Sequence, residues 1–239
     1  MAREELEPSS RGAGAARSTS PREHRLERLA AARLYFVCES RPPGRDVREL
    51  LAAALRGGAD LIQLREKPAD DAALIAAARP FRQAADEHAA LFILNDRPDL
   101  VAECGADGVH VGQEDLPVAE ARRIAGPDAL VGLSTHSAAQ LDAACAAQGD
   151  DCPDQLSVGP IWETPTKEGR RATGLRLVEH AARAATLPWF AIGGIDTENV
   201  DSVVAAGARR IVVVRAIRDA EDPERAARLL RRAVEAGAT

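Results

Sequence analysis

Eight short apolar runs, rich in β-branched residues, recur along this chain, and an alanine-rich stretch of helical periodicity follows each one. The runs stand at 33–38, 60–65, 90–94, 107–111, 129–133, 154–159, 188–192 and 210–215. The helical stretches stand at 45–57, 70–88, 97–104, 117–125, 136–148, 174–186 and 196–206, with a last one at 222–236. Near-continuously apolar strands are buried on both faces. Such strands alternating with helices predict a parallel sheet covered by helices, the α/β class. Eight units in about 210 residues fit a single-domain (β/α)8 TIM barrel with few insertions. An open doubly wound sheet uses fewer strands, and no Gly-x-Gly-x-x-Gly follows the first run. Gly58-Ala59, Gly105-Ala106 and Gly207-Ala208 close three of the helical stretches. A glycine there can take the left-handed conformation that a sharp helix-to-strand turn needs.

Composition narrows the function. Aromatic residues are only 3% of the chain, so alanine and aliphatic side chains must fill the core. The net charge of −6 argues against a general nucleic-acid binder, which needs a cationic face. No stretch approaches the roughly 20 apolar residues of a membrane helix. The four cysteines, at 38, 104, 145 and 152, lack zinc-finger spacing and read as free thiols in a reducing cytoplasm. Residues 1–28 are rich in serine, glycine, arginine and glutamate and read as a disordered extension, which leaves 29–239 for the barrel. They hold no apolar run of a secretory signal. Nothing in the sequence argues against a homo-oligomer.

In this barrel the chemistry belongs at the C-terminal ends of the strands. The second strand ends in Gln63-Leu64-Arg65-Glu66-Lys67, and alternation sends Gln63, Arg65 and Lys67 to one side, a set suited to a multiply charged anion. The third ends in Asn95-Asp96, and Gly112-Gln113-Glu114-Asp115 follows the fourth. Asp96 and Asp115 could each cap a helix, or together hold one Mg²⁺, a hard cation that takes oxygen ligands. Ser134 closes the fifth strand and could donate to a phosphate or an amide, while His110 and His136 read as structural. A loop of about 14 residues leaves the sixth strand and carries Thr164, Thr166 and Lys167; loops of that length are usually functional or disordered. Gly193-Gly194 ends the seventh strand and Val214-Arg215 the eighth, the corner where this barrel usually binds phosphate. Two anion sites at one mouth suit an enzyme that joins two phosphorylated small molecules or handles a bisphosphate.

At these residues the chain resembles the thiamine phosphate synthase family. The resemblance is carried by Gln63-Leu64-Arg65-Glu66-Lys67, Asn95-Asp96-Arg97, the run from Gly105 to Asp115, Ser134-Thr135-His136, Val158-Gly159-Pro160-Ile161, Thr164-Pro165-Thr166-Lys167 and Ala191-Ile192-Gly193-Gly194-Ile195. It spans about 33 to 225. It implies a cytoplasmic transferase of thiamine biosynthesis that joins 4-amino-5-hydroxymethyl-2-methylpyrimidine diphosphate to 4-methyl-5-(2-phosphoethyl)thiazole, giving thiamine phosphate and pyrophosphate. It further implies that Gln63, Arg65, Lys67, Asn95 and Lys167 hold the pyrimidine diphosphate and that Ser134 contacts the pyrimidine. Asp96 and Asp115 would bind Mg²⁺. Thr164, Thr166, Gly194 and the end of the eighth strand, Val214 and Arg215, would hold the thiazole phosphate. Arg65, Lys67, Ser134 and Lys167 would be the groups closest to the chemistry.

The chain departs from the family pattern at Arg215, where a serine is common. The arginine either pairs with the thiazole phosphate or turns outward and leaves the backbone N–H groups as donors. Arg209-Arg210 stands where Asp-Gly is usual and reads as surface. Three rival readings remain: a thiazole tautomerase, another phosphate-binding barrel enzyme, and a non-catalytic module that binds a thiamine intermediate. The tautomerase and the binding module would not need the Asn95-Asp96, Asp115 and Lys167 set. An isomerase would need a lone carboxylate or histidine base at a strand end, and Glu66 is turned away from the mouth by alternation.

Overall fold

The computed structural model describes residues 20–66, 70–164 and 171–237. Eight parallel strands close into a barrel in chain order. They are β1 (Leu34–Cys38), β2 (Leu61–Leu64), β3 (Leu91–Asn95), β4 (Gly108–Val111), β5 (Leu130–Thr135), β6 (Gln155–Val158), β7 (Trp189–Ile192) and β8 (Ile211–Val213). Closure places Leu34 beside Ile211 and Phe36 beside Val213. The described helices are α1 (Pro21–Ala31), α2 (Val47–Arg56), α3 (Asp71–Glu87), α4 (Val101–Cys104), α5 (Val118–Ala125), α6 (Ala138–Ala146), α7 (Leu175–Ala184), α8 (Val200–Ala205), α9 (Arg215–Arg218) and α10 (Pro223–Ala236). Among the described residues no helix is long and apolar enough to cross a membrane.

Alternation divides each strand between two cores. On β1, Leu34, Phe36 and Cys38 pack outward among the helices, whereas Tyr35 and Val37 join Leu61, Ile93, Phe190 and Val212 inside the barrel. Tyr35 and Phe190 meet there edge to face, with centroids 5.6 Å apart. The scarce aromatics thus include a pair at the barrel axis, where aliphatic chains leave the most room to fill. Gly58, Gly105 and Gly207 all have positive φ, and Ala59, Ala106 and Ala208 each donate back five residues to a helix carbonyl, as the Gly-Ala pairs predict.

The disordered extension expected over 1–28 is corrected at its end. Residues 1–19 lie outside the described residues, but Ser20 opens α1 with a capping box: its Oγ accepts from Glu23 N at 3.2 Å, and Glu23 accepts from Ser20 N at 2.7 Å. Leu29 is buried and Leu26 packs beside it against the inner core. Arg22 pairs with Asp154 at 2.6 Å and Arg25 with Asp107 at 3.0 Å. Burial of Leu29, the packing of the partly buried Leu26 and these ion pairs anchor a segment whose composition alone reads as solvated.

Asp107 and Asp154 belong to a pattern. Asp60, Asp107 and Asp154 stand immediately before β2, β4 and β6, and each accepts a backbone N–H from the preceding strand: Leu34 at 3.0 Å, Phe92 at 2.9 Å and Val131 at 2.7 Å. Each also meets a helix arginine: Arg231 at 2.6 Å, Arg82 at 3.0 Å and Arg122 at 3.2 Å. Arg210, read from the sequence as surface, is half-buried and donates to Ala30 O and Ala32 O at the end of α1. These contacts fasten the N-terminal end of the barrel and leave the other end for ligands.

The eighth strand is shorter than its apolar run. It ends at Val213, Val214 leaves the extended region at ψ −81°, and Arg215 begins α9. Strand alternation therefore does not set the direction of Arg215. The helix expected at 196–206 starts only at Val200, because Asp196 Oδ1 accepts from Glu198 N and Asn199 N and forms a turn first.

Candidate active site

A cavity of about 380 Å³ opens at the C-terminal mouth of the barrel. All eight strands contribute: β1 and β4 through Tyr35, Val37 and His110 within them, β6 through Ser157 and through Gly159, Pro160 and Thr164 after it, and the others near their ends or just beyond. Of the residues singled out in the sequence, the lining brings together Gln63, Arg65, Asn95, Ser134, Thr164, Gly194, Val214 and Arg215. Lys67, Thr166 and Lys167 lie outside the described residues.

The floor is polar although it is buried. Gln63 is 4% exposed, and its Nε2 donates to Tyr35 Oη at 2.5 Å. Burial raises the Tyr35 phenol far above its ordinary value and keeps it protonated. On the opposite wall His110 Nε2 lies 2.9 Å from Ser134 Oγ, and His110 Nδ1 lies 3.1 Å from Gln155 Nε2. The Ser134 carbonyl accepts from Gln113 Nε2 at 2.7 Å, which ties the turn after β4 to the end of β5.

Arg65 stands just past β2, held by its backbone N–H on Cys38 O at 3.0 Å. Its Nε is buried with no hydrogen-bond partner, and among the described residues its guanidinium makes no ion pair. Most other half-buried arginines of the barrel are paired. A buried unpaired donor costs free energy unless something arrives to accept from it.

Asp96 and Asp115 follow β3 and β4 and are not among the lining residues. Asp96 sits in the left-handed region at φ +61°, with its N–H on His110 O at 2.9 Å and its carboxylate accepting from Asn95 Nδ2. Asp115 Oδ2 accepts from Gly112 N at 2.7 Å. The helix-cap alternative is corrected: neither the turn Pro98–Leu100 nor α5 has a side-chain cap. Both carboxylates bond within their own turns rather than at helix ends. Among the described residues no three His, Cys, Asp or Glu side chains gather as a metal cluster.

The opposite corner is built from the Gly193-Gly194 turn and the start of α9. Gly193 and Gly194 have φ of +108° and +69°, and Asn199 Nδ2 holds Gly194 O at 2.8 Å. Val214, Arg215, Ala216 and Asp219 complete this wall. Two hydrogen bonds from Arg218 hold the Asp219 carboxyl below its ordinary value. The Arg215 side chain makes no hydrogen bond to a described residue, unlike its neighbour Arg218, which also pairs with Glu39 at 2.9 Å.

A family model described as thiamine monophosphate synthase matches residues 34–217. The chain belongs to that family. The family match runs from the first residue of β1 into α9, so α1 and α10 lie outside it. Within the thiamine monophosphate synthase family, the chain is 47% identical over 231 residues to the thiamine-phosphate synthase of Arthrobacter sp. (strain FB24), covering 88% of this chain and 98% of that one. It is 50% identical over 211 residues to that of Saccharopolyspora erythraea, covering 85% and 93%. The solved thiamine phosphate pyrophosphorylase of Pyrococcus furiosus superposes with a TM-score of 0.78 at 31% identity, covering 88% of this chain and 99% of that one.

Sequence reasoning did not single out Tyr35, Gln155 or Asp219 for this site. Tyr35 could have been found from period two, since it shares a face with Val37. Asp219 lies beyond an unexpected helix and left no signal.

Proposed function

We propose that this chain is a thiamine-phosphate synthase, a transferase that condenses the pyrimidine diphosphate with the thiazole phosphate. The observation that carries the reading is Arg65: a buried cationic donor on the cavity wall with no partner among the described residues. A second phosphate-type corner at Gly194, Val214 and Arg215 lines the same cavity.

The residues divide between the two ligands. Arg65, Lys67, Asn95, Gln63 and Lys167 hold the diphosphate, and Ser134 meets the pyrimidine ring. Thr164, Thr166, Gly194, Val214 and Arg215 hold the thiazole phosphate. The methylene C–O bond breaks first, and its electron pair leaves with pyrophosphate. The 4-amino group delocalises the resulting cation. The thiazole nitrogen then forms the C–N bond with its lone pair. That nitrogen has no proton to lose, so no general base is required. The protein stabilises charge on the leaving group through its cations and aligns the second ring.

Asp96 and Asp115 fit a Mg²⁺ ion, since both are oxygen donors at adjacent strand ends and neither caps a helix. Two carboxylates with phosphate oxygens and water are the usual protein share for this cation. When bound, Mg²⁺ neutralises charge on the departing diphosphate. The four cysteines are free, which supports a cytoplasmic setting.

Purified protein given both substrates and Mg²⁺ should form thiamine phosphate. No product under these conditions, across a range of Mg²⁺, would refute the reading.

A further inference from the structure

A buried polar chain behind Ser134 has no role in the reaction as described. His110 on β4, Gly132 on β5 and Gln155 on β6 stand side by side in register. Gly132 leaves the space between its neighbours open. A Cβ there would lie 2.2 Å from Gln155 Nε2 and 2.5 Å from His110 Nδ1, closer than any side chain permits. Through this gap Gln155 Nε2 reaches His110 Nδ1 at 3.1 Å, and His110 Nε2 reaches Ser134 Oγ at 2.9 Å. All three side chains are buried, and Ser134 lines the cavity.

The orientation of the Gln155 amide sets the polarity of the whole chain. An amide N–H can donate only to a lone pair, so His110 Nδ1 is bare and Nε2 carries the proton. Nε2–H then donates to Ser134 Oγ, and the Ser134 O–H is left to donate into the cavity. Turning the amide around reverses every bond. Nδ1–H would donate to Gln155 Oε1, Ser134 would donate to Nε2, and only lone pairs would face the ligand. Gln155 Oε1 is buried without a partner in the present arrangement. The reversed one would instead bury an unpaired NH₂ with two protons, and orphaned donors are rarer in proteins than under-satisfied carbonyls.

We propose that Gln155 is a positioning residue: through His110 it holds Ser134 as a hydrogen-bond donor toward the cavity, so that the site selects a pyrimidine ring nitrogen bearing a lone pair over one bearing a proton. This rests on the synthase reading, in which Ser134 meets the pyrimidine. A 4-oxo analogue, which carries N–H where the 4-amino substrate has a bare nitrogen, would meet donor with donor.

The test uses the full-length protein with ¹⁵N-labelled histidine, with His110 assigned against a His110→Phe variant. The expected spectrum has His110 protonated on Nε2 and bare on Nδ1. The Gln155→Met variant keeps the length of the side chain but loses the donor. It should lose the single tautomer, raise KM for the pyrimidine diphosphate about tenfold and leave KM for the thiazole phosphate within about twofold. If that variant fails to fold, Gln155→Asn withdraws the amide from the ring and serves the same comparison. A wild-type His110 protonated on Nδ1 overturns the proposal. So does a folded Gln155 variant with the wild-type tautomer and wild-type KM values. If the wild-type enzyme makes no thiamine phosphate, the synthase reading fails, and the tautomer still decides for or against the relay.

Discussion

Arg65→Met separates binding from folding at one residue. Methionine keeps an apolar stem of similar length and removes the guanidinium. Arg65 Nε is buried without a partner, and among the described residues no carboxylate pairs with the group. Its removal therefore breaks no hydrogen bond or ion pair of the side chain among the described residues. It relieves the desolvation of an unpaired donor, worth about 1–3 kcal/mol when burial is complete. The side chain is only half-buried, so the expected gain is smaller, between zero and about 1 kcal/mol. That corresponds to a rise in Tm of at most about 2–4 °C for a chain of this size. Binding should move the other way. One charge-assisted hydrogen bond to a phosphate oxygen contributes about 1.5–3 kcal/mol, and losing it lowers kcat/KM for the pyrimidine diphosphate about 10- to 150-fold. KM for the thiazole phosphate should stay unchanged. Urea unfolding and thiamine phosphate formation, measured on the same preparation, give both numbers. A variant destabilised by more than about 1.5 kcal/mol with unaltered kcat/KM would mean that Arg65 is a structural residue, and the diphosphate assignment would fall with it.

Asp107→Ala should lower stability by about 3 kcal/mol, since it orphans the buried Phe92 N–H and strips two arginines that are themselves a quarter exposed. A loss below about 1 kcal/mol in urea unfolding would contradict the fastening role of the N-terminal end. Asp96→Asn and Asp115→Asn should each raise the Mg²⁺ concentration for half-maximal rate at least about tenfold, without altering the thermal unfolding midpoint by more than a few degrees. An unchanged Mg²⁺ titration would remove both from the metal. Arg215→Ala should raise KM for the thiazole phosphate about tenfold and leave that for the pyrimidine diphosphate alone; equal KM values would show the guanidinium points elsewhere.

The barrel is legible in the sequence because strands buried on both faces are mostly apolar, so each run is bounded by its turns even where a polar residue such as Gln63, His110 or Gln155 interrupts it. Gln63 and Arg65 are legible for the complementary reason: polar side chains at the end of an apolar strand mark where the barrel meets solvent. Helix α1 is hidden because its support lies far along the chain, at Asp107 and Asp154. The capping box from Ser20 to Glu23 and Pro21 at the first helical position are its local signals. Arg215 is misplaced because Ile211, Val212, Val213 and Val214 form an unbroken β-branched run, and only the backbone turn at Val214 ends the strand. Asp96 and Asp115 look like helix caps because caps precede helices in sequence. Their actual partners, Asn95 and Gly112, are set by turn geometry that residue types alone leave open. The Gln155–His110–Ser134 chain depends on the missing side chain of Gly132, and a glycine within a strand does not say which neighbours it lets meet.

The joining of two phosphorylated rings at one mouth is tested most directly by following a single reaction by ³¹P NMR, with both substrates, Mg²⁺ and wild-type protein. The expected result is loss of the diphosphate and appearance of pyrophosphate and thiamine phosphate in equal amounts. Pyrophosphate that accumulates without thiamine phosphate, at the same rate whether or not the thiazole phosphate is present, would make the protein a hydrolase and contradict the assignment.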